Sequence, residues 1–293
     1  MTFKPLLAAT LEDLQQLRFP VLASPKLDGL RCIIQDGVAV SRNLKPFRNV
    51  HVQHTLRGAI EGLDGELIVG SPNEGHVLGR TQSGIMSVEG MPEFKLYVFD
   101  NHLIPSGFQQ RYKTLFDLDV EQHPSVQIVR HDTIHTIEGL LEYEQRHLDE
   151  GYEGVMIRSL NGHYKYGRST PREGIIWKLK RFRDGEAMVM DLAEGVINNN
   201  EATFDALGHL KRSNHQENKV NAGRVGTIIA HDLVTGQPMQ ISPGRMTMDM
   251  RHHYWMHPSE LVGKIIKYKT FDYGTLNVPR FSTFQAFRSP EDM

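Results

Sequence analysis

The stretch SPKLDGLRCIIQDGVAVSRN, Ser24 to Asn43, sets a lysine between a proline and an Asp-Gly pair, then places two β-rich runs around a second Asp-Gly. The second pair, Asp36-Gly37, is the strongest short hairpin signal in the chain and predicts two adjacent antiparallel strands. The lysine, Lys26, is harder to place. A free lysine titrates near 10.4 and is a poor nucleophile at neutral pH, whereas burial or neighbouring cations favour the neutral amine, which can attack a carbonyl or a phosphorus. Lys178 and Lys180, alternating in IIWKLKR, could supply such a field; a surface turn is the other reading of Lys26 from this stretch alone.

Outward from the hairpin, GELIVG and KLYVFD read as further strands. Thr10 is a helix cap candidate before Leu11, Leu14 and Leu17, and Asn49 another before Val52, Leu56 and Ile60. The clearest helix runs from Ile137 to Asp149, with Ile137, Leu140, Leu141 and Leu148 on one face and Gly151 past its end. GVMIR and IIWKLKR follow as strands, so the first 180 or so residues read as α+β. Past Arg183 short strands alternate with turns (EAMVMDLAEGV, GRVGTIIAHDL, MQISPG, GKIIKYKTF, FSTFQAF), a pattern for a small all-β barrel. Two domains are expected, residues 1–183 and 184–293. The polar segment Asn198 to Arg224 is too long for a hairpin turn and is functional or disordered. Met246, Met248 and Met250 alternate as in a strand.

The 293 residues hold one cysteine, Cys32, which excludes an intrachain disulfide or a multi-thiolate zinc site and reads as a small buried apolar group. The amino terminus lacks a signal-peptide pattern and no run of eighteen apolar residues occurs, so a soluble, cytoplasmic protein is expected. Thirty-three Lys and Arg nearly balance thirty-five Asp and Glu, but seven of the basic residues fall between His163 and Arg183 against one acid, Glu173. Such a stripe is either a nucleic-acid footprint or a solvated face. His252 and His253 are adjacent, which suits no shared metal, and no HExxH spacing appears.

Six segments stand in a telling order: KLDGLR (Lys26–Arg31), SRN (Ser41–Asn43), LDGEL (Leu63–Leu67), YVFD (Tyr97–Asp100), EGVMIR (Glu153–Arg158) and WKLKR (Trp177–Arg181). They match the ordered motifs of the covalent nucleotidyltransferases, and with KPLLAATLED, FPVLASPK, YKYGRST and a late PRF the chain resembles the minimal, two-domain, viral-type ATP-dependent DNA ligases over nearly its whole length. The resemblance implies a nucleotidyltransferase domain followed by an OB-fold barrel, whose insertion at about 198–224 is a DNA-gripping latch. It implies ATP and Mg²⁺ as cofactors, AMP held covalently on Lys26, and nicked duplex DNA as partner, sealed as in replication and repair by a monomer, in the host cytoplasm if virus-encoded.

By the same mapping Asp28 assists sealing, Arg31 and Glu66 hold ribose or a nick sugar, Phe99 stacks on adenine, and Glu153 binds the metal. Lys178 and Lys180 contact the α-phosphate, Arg42 and Arg168 the nick 5′-phosphate, Arg280 the departing pyrophosphate, and Lys211, Arg212 and Lys219 the DNA backbone. The rival readings are an RNA ligase or mRNA-capping guanylyltransferase of the same superfamily, and a non-catalytic nucleic-acid-binding protein. NAD⁺ as adenylate donor is disfavoured, since enzymes of that type append modules for which this chain has neither cysteines nor length.

Overall fold

The computed structural model describes residues 3–271 and 280–288, with Arg280 described by its backbone alone. The chain divides into two compact units between Lys180 and Arg181. In the first unit the elements run β1 (Ala9–Thr10), β2 (Val21–Pro25), β3 (Leu30–Gln35), β4 (Val38–Ser41), α1 (Val50–Thr55), β5 (Leu63–Val69), α2 (Val77–Met86), β6 (Phe94–Asn101), α3 (Phe108–Asp117), β7 (Val126–Ile128), β8 (Asp132–Ile134), α4 (Ile137–Asp149), β9 (Val155–Ser159) and β10 (Ile176–Leu179). They form two five-stranded sheets, ordered β4-β3-β5-β6-β7 and β1-β10-β9-β2-β8.

The Asp-Gly hairpin forms as its sequence predicts: Gln35 pairs with Val38, and Asp36 and Gly37 take the positive φ values, 52° and 70°, that a two-residue turn between twisted strands requires. Asn49 caps α1 by accepting from the Val52 amide at 2.8 Å, and Val52 and Leu56 enter the core of the first sheet with Cys32, Leu96 and Leu115. Thr10 does not cap a helix. The Leu11 amide is taken by the Lys178 carbonyl at 3.0 Å and Thr10 pairs in parallel with Lys178, so strand addition outcompetes the helix and leaves one 3₁₀ turn, Leu14–Gln16, capped by Asp13. Helix α4 has the expected bounds, but its buried face is Leu140, Tyr143, Glu144 and His147, and Leu141 is exposed. Packing against β2, where Tyr143 donates to the Ala23 carbonyl at 3.1 Å, sets the rotation that apolar spacing alone misassigned.

In the second unit β11 (Arg183–Asn198), β12 (Ala202–Phe204), β13 (Leu210–Arg212), β14 (Lys219–Asp232), β15 (Pro238–Ile241), α5 (Met248–Met256), β16 (Ile265–Phe271) and β17 (Arg280–Phe287) follow. The main sheet, β15-β14-β11-β16-β17, is antiparallel and not closed into a barrel among the described residues; its edges approach at the isolated bridge Ser242↔Thr283 without a continuous ladder. Val189, Ile228, Ile241, Ile266 and Tyr268 form its core. Met248 and Met250 lie in α5, capped by Thr247, rather than in a strand. The polar segment is ordered: β11 and β14 extend to pair Asn198 with Lys219, and β12 and β13 make a hairpin between them. The Asn200 amide closes this hairpin's base by donating to the Ser213 and His215 carbonyls at 2.9 and 2.7 Å. Among the described residues no helix is long and apolar enough to cross a membrane.

Candidate active site

A cavity of about 520 Å³ opens between the two sheets of the first unit. Lys26, Arg31, Arg42, Glu66, Phe99, Arg168 and Lys178 of the sequence-predicted residues line it, joined by Arg158 and by Leu6, Leu7 and Ala8. Two glycines make this assembly possible. A side chain at Gly29 would strike the Leu67 carbonyl at 2.4 Å, so β3 can start against β5 only with glycine there. A Cβ added at Gly154, whose φ is +143°, would come as close to the Leu179 carbonyl, and Gly154 offers its own carbonyl to the Lys26 amide at 2.8 Å, tying the Lys26 loop to EGVMIR.

Lys26 Nζ donates to Glu153 Oε2, and Lys180 Nζ stands 3.5 Å from Glu153 Oε1. Glu153 is buried, so one carboxylate largely shielded from water serves two partly exposed lysines. The Lys178 pKa is lowered, by burial first and then by Lys180, Lys26 and Arg168 around it. Asp28 is buried two residues beyond Lys26. Arg42, in the turn after β4, and Arg168 are exposed at the cavity edge, and Arg168 also donates to the Ala8 carbonyl at 2.8 Å.

On the opposite wall Arg31 forks onto Asp64, at 2.5 Å from Nε and 2.6 Å from Nη2, and lies 4.7 Å over the Phe99 ring. Burial works to lower the Arg31 pKa, but Asp64 outweighs it and the value is raised. Glu66 pairs with Arg31 across β3 and β5; burial pushes its pKa up to about 7, against the opposing pull of Arg31 and Lys26. A raised carboxyl pKa opposes stability once the unfolded state ionises, so stability should fall as pH rises from about 4.5 through 7. Glu66 is partly exposed, which screens part of this effect, and the expected loss is about 1–2 kcal/mol. Urea titrations at pH 5 and pH 8 should show this loss in the wild type and not in Glu66→Gln; equal losses in both would assign it elsewhere.

Asp64, Asp100, Arg111 and Arg158 were not singled out from sequence, although LDGEL, YVFD and EGVMIR contain three of them. Asp100, fully buried, accepts from Arg111 Nε at 2.7 Å and from Arg158 Nη1 at 2.7 Å, and Arg158 stands 5.5 Å from the Phe99 ring centre. For Asp64, Asp100 and Arg158 the available signal was a charge inside a largely apolar strand, which demands a buried partner. In the second unit Lys211 is exposed on β13, Arg212 Nη1 donates to the Asn200 carbonyl, and Lys219 opens β14. The Arg280 side chain lies outside the described residues.

Residues 5–180, more than half of the chain, match the family model of the ATP dependent DNA ligase domain. Chlorella virus DNA ligase-adenylate is 32% identical with a TM-score of 0.56, over 98% of this chain and 100% of that one. A Lig E DNA ligase, 20% identical, superposes over 98% of this chain with a TM-score of 0.76, a likeness of fold. The DNA ligase of African swine fever virus (strain Badajoz 1971 Vero-adapted) is 26% identical over 138 residues, 45% of this chain but 32% of that protein, so the match spans about a third of this curated relative. With the motif cavity assembled in the matched region, the chain belongs to the ATP-dependent DNA ligase family.

Proposed function

We propose that the protein seals 3′-hydroxyl/5′-phosphate nicks in duplex DNA through a lysyl-AMP intermediate on Lys26. The observation that carries this reading is a nucleotide-sized cavity lined by Lys26 and Lys178, with Lys26 bonded beside it to Glu153, which Lys180 also approaches. Attack needs the amine lone pair, so Lys26 must first release Glu153 and give its proton to water, which leaves that carboxylate ionised for the metal. The Lys26 nitrogen then bonds the α-phosphorus of ATP as the bond to pyrophosphate breaks. Lys178 and Lys180 offset charge on the α-phosphate oxygens. A 5′-phosphate oxygen of the nick next displaces the lysine from AMP, and the 3′-hydroxyl displaces AMP from the DNA, with Asp28 assisting that step.

Arg31 and Glu66 hold ribose, Phe99 receives adenine, and Arg42 and Arg168 take the nick 5′-phosphate. Mg²⁺ is commonly bound by one or two carboxylates together with substrate phosphates, which fits a lone Glu153 beside a phosphate pocket. Among the described residues no group of three or more His, Cys, Asp and Glu could hold a metal by itself. Glu153 would hold the ion, which when bound supplies charge neutralisation at the phosphates.

The second unit would act as the OB-fold partner, with Lys211, Arg212 and Lys219 of the 198–224 segment on backbone phosphates and Arg280 on pyrophosphate. The protein would act as a cytoplasmic monomer. The test supplies α-labelled ATP or GTP and then nicked DNA or nicked RNA. Label from ATP that is chased into sealed DNA is expected. Transfer from GTP, or sealing confined to RNA, would reassign the chain to the capping or RNA-ligase branch.

A further inference from the structure

Behind the Arg31 wall a chain of hydrogen bonds returns to the residue where it starts. The Leu6 amide donates to Tyr164 Oη at 3.2 Å, and the Tyr164 hydroxyl donates to Asp64 Oδ2 at 2.5 Å. Asp64 accepts both Arg31 contacts, and Arg31 Nη2 donates to the Leu6 carbonyl at 3.2 Å. Leu6 and Asp64 are almost wholly buried, so neither can turn to water instead. Arg31, Phe99 and Leu6 face the cavity, whereas Tyr164 stands behind them.

From this closed circuit we infer that Tyr164 is a positioning residue for the nucleotide: its hydroxyl fixes the Asp64 carboxylate, and through it the Arg31 guanidinium. Two features argue that the hydroxyl, rather than the ring, does this. A guanidinium held by a fork, a carbonyl and a ring face has one allowed orientation only while the carboxylate itself is fixed. The Tyr164 ring has separate packing, 6.3 Å from Phe3, 5.8 Å from His102 and 6.5 Å from Tyr166 between ring centres, which Tyr164→Phe keeps. That substitution removes one oxygen, frees one edge of Asp64 and leaves the Leu6 amide without its acceptor.

The inference rests on ATP binding in this cavity, and its test separates the two. ATP affinity is measured by equilibrium titration with Lys26→Ala in every protein, so that no covalent step intervenes. Tyr164→Phe should weaken ATP binding about tenfold, the effect of losing a hydrogen bond to a charged group. In an Arg31→Ala background the same change should add less than about twofold, because a residue acting through Arg31 has nothing left to position. Asp64→Asn should behave in the same non-additive way and serves should Tyr164→Phe melt early. Equal weakening in both backgrounds, or none in either, overturns the inference. A parent protein that binds no ATP overturns the proposed activity instead.

Discussion

Lys26→Ala should transfer no detectable label from α-labelled ATP, a loss on the order of 10³-fold or more, because no other group can form the phosphoramidate. Lys178 and Lys180 cannot substitute. Lys180 is held at Glu153 and Lys178 lies on β10, which β9 separates from the strand β2 that leads to Lys26, so each sits beside the reacting phosphorus as a charge rather than in line with it under the proposed mechanism. Lys26→Arg should be equally inactive although it keeps the positive charge, since a guanidinium is not deprotonated in this range. Both variants should seal a nick whose 5′ end already carries AMP far better than a nick without it, because that last step breaks a phosphate–AMP bond and uses no lysine nitrogen. Gel detection of protein-bound label and of sealed strand reads all three. Undiminished labelling of Lys26→Ala would move the nucleophile elsewhere and take the proposed mechanism with it.

Asp100→Ala should destabilise the first unit by about 3–5 kcal/mol, because it strands two buried guanidinium groups that one carboxylate now neutralises in part. Arg111 is fully buried and Arg158 nearly so; Arg111 retains the Ser106 and Gly162 carbonyls, which satisfy its N–H groups but not its charge. For a unit of this size the melting temperature should fall by roughly 6–20 °C. Glu74→Ala, which breaks the exposed Arg80–Glu74 pair, should cost less than about 1 kcal/mol. Burial acts to raise the Asp100 pKa, but Arg158 and Arg111 outweigh it and the value is lowered. The stability it contributes is therefore present above the unfolded-state value near 3.8 and is lost as pH falls below it, a dependence that Asp100→Asn should lack. A melting temperature in Asp100→Ala that matches the Glu74→Ala control would show that the two arginines find other partners. The consequence reaches the site, since Arg158 and Arg31 both stand over Phe99 and a shift in either would change the surface offered to a base.

Much of this architecture was legible in the residues because it depends on neighbours in the chain. Asp36-Gly37 makes its turn from its own φ preferences, Asn49 caps α1 three residues ahead, and Gly151 follows the end of α4. The order of short motifs around Lys26, Glu66, Phe99, Glu153 and Lys178 likewise named one family, and those segments do meet: Lys26, Glu66, Phe99 and Lys178 around one cavity, Glu153 bonded to Lys26 beside it. Local chemistry carries such signals because a turn, a cap or a nucleophile's flanking residues are specified within a few positions.

Other features were decided only when distant segments packed. Thr10 became a strand because Lys178 offered a carbonyl to the next amide, and α4 turned Tyr143 inward and Leu141 outward because β2 lay on that side. The run from Met248 to Met256 coiled although its methionines alternate, since a cap at Thr247 and contact with the second core outweigh a three-residue pattern. The Leu6–Tyr164–Asp64–Arg31 circuit joins residues up to 158 positions apart. A sequence determines which groups carry charge, hydrogen-bonding capacity and backbone freedom. Which of them are buried together, and therefore which charges must be shared, follows from the tertiary packing, because desolvation depends on everything that surrounds a group and not on its place in the chain.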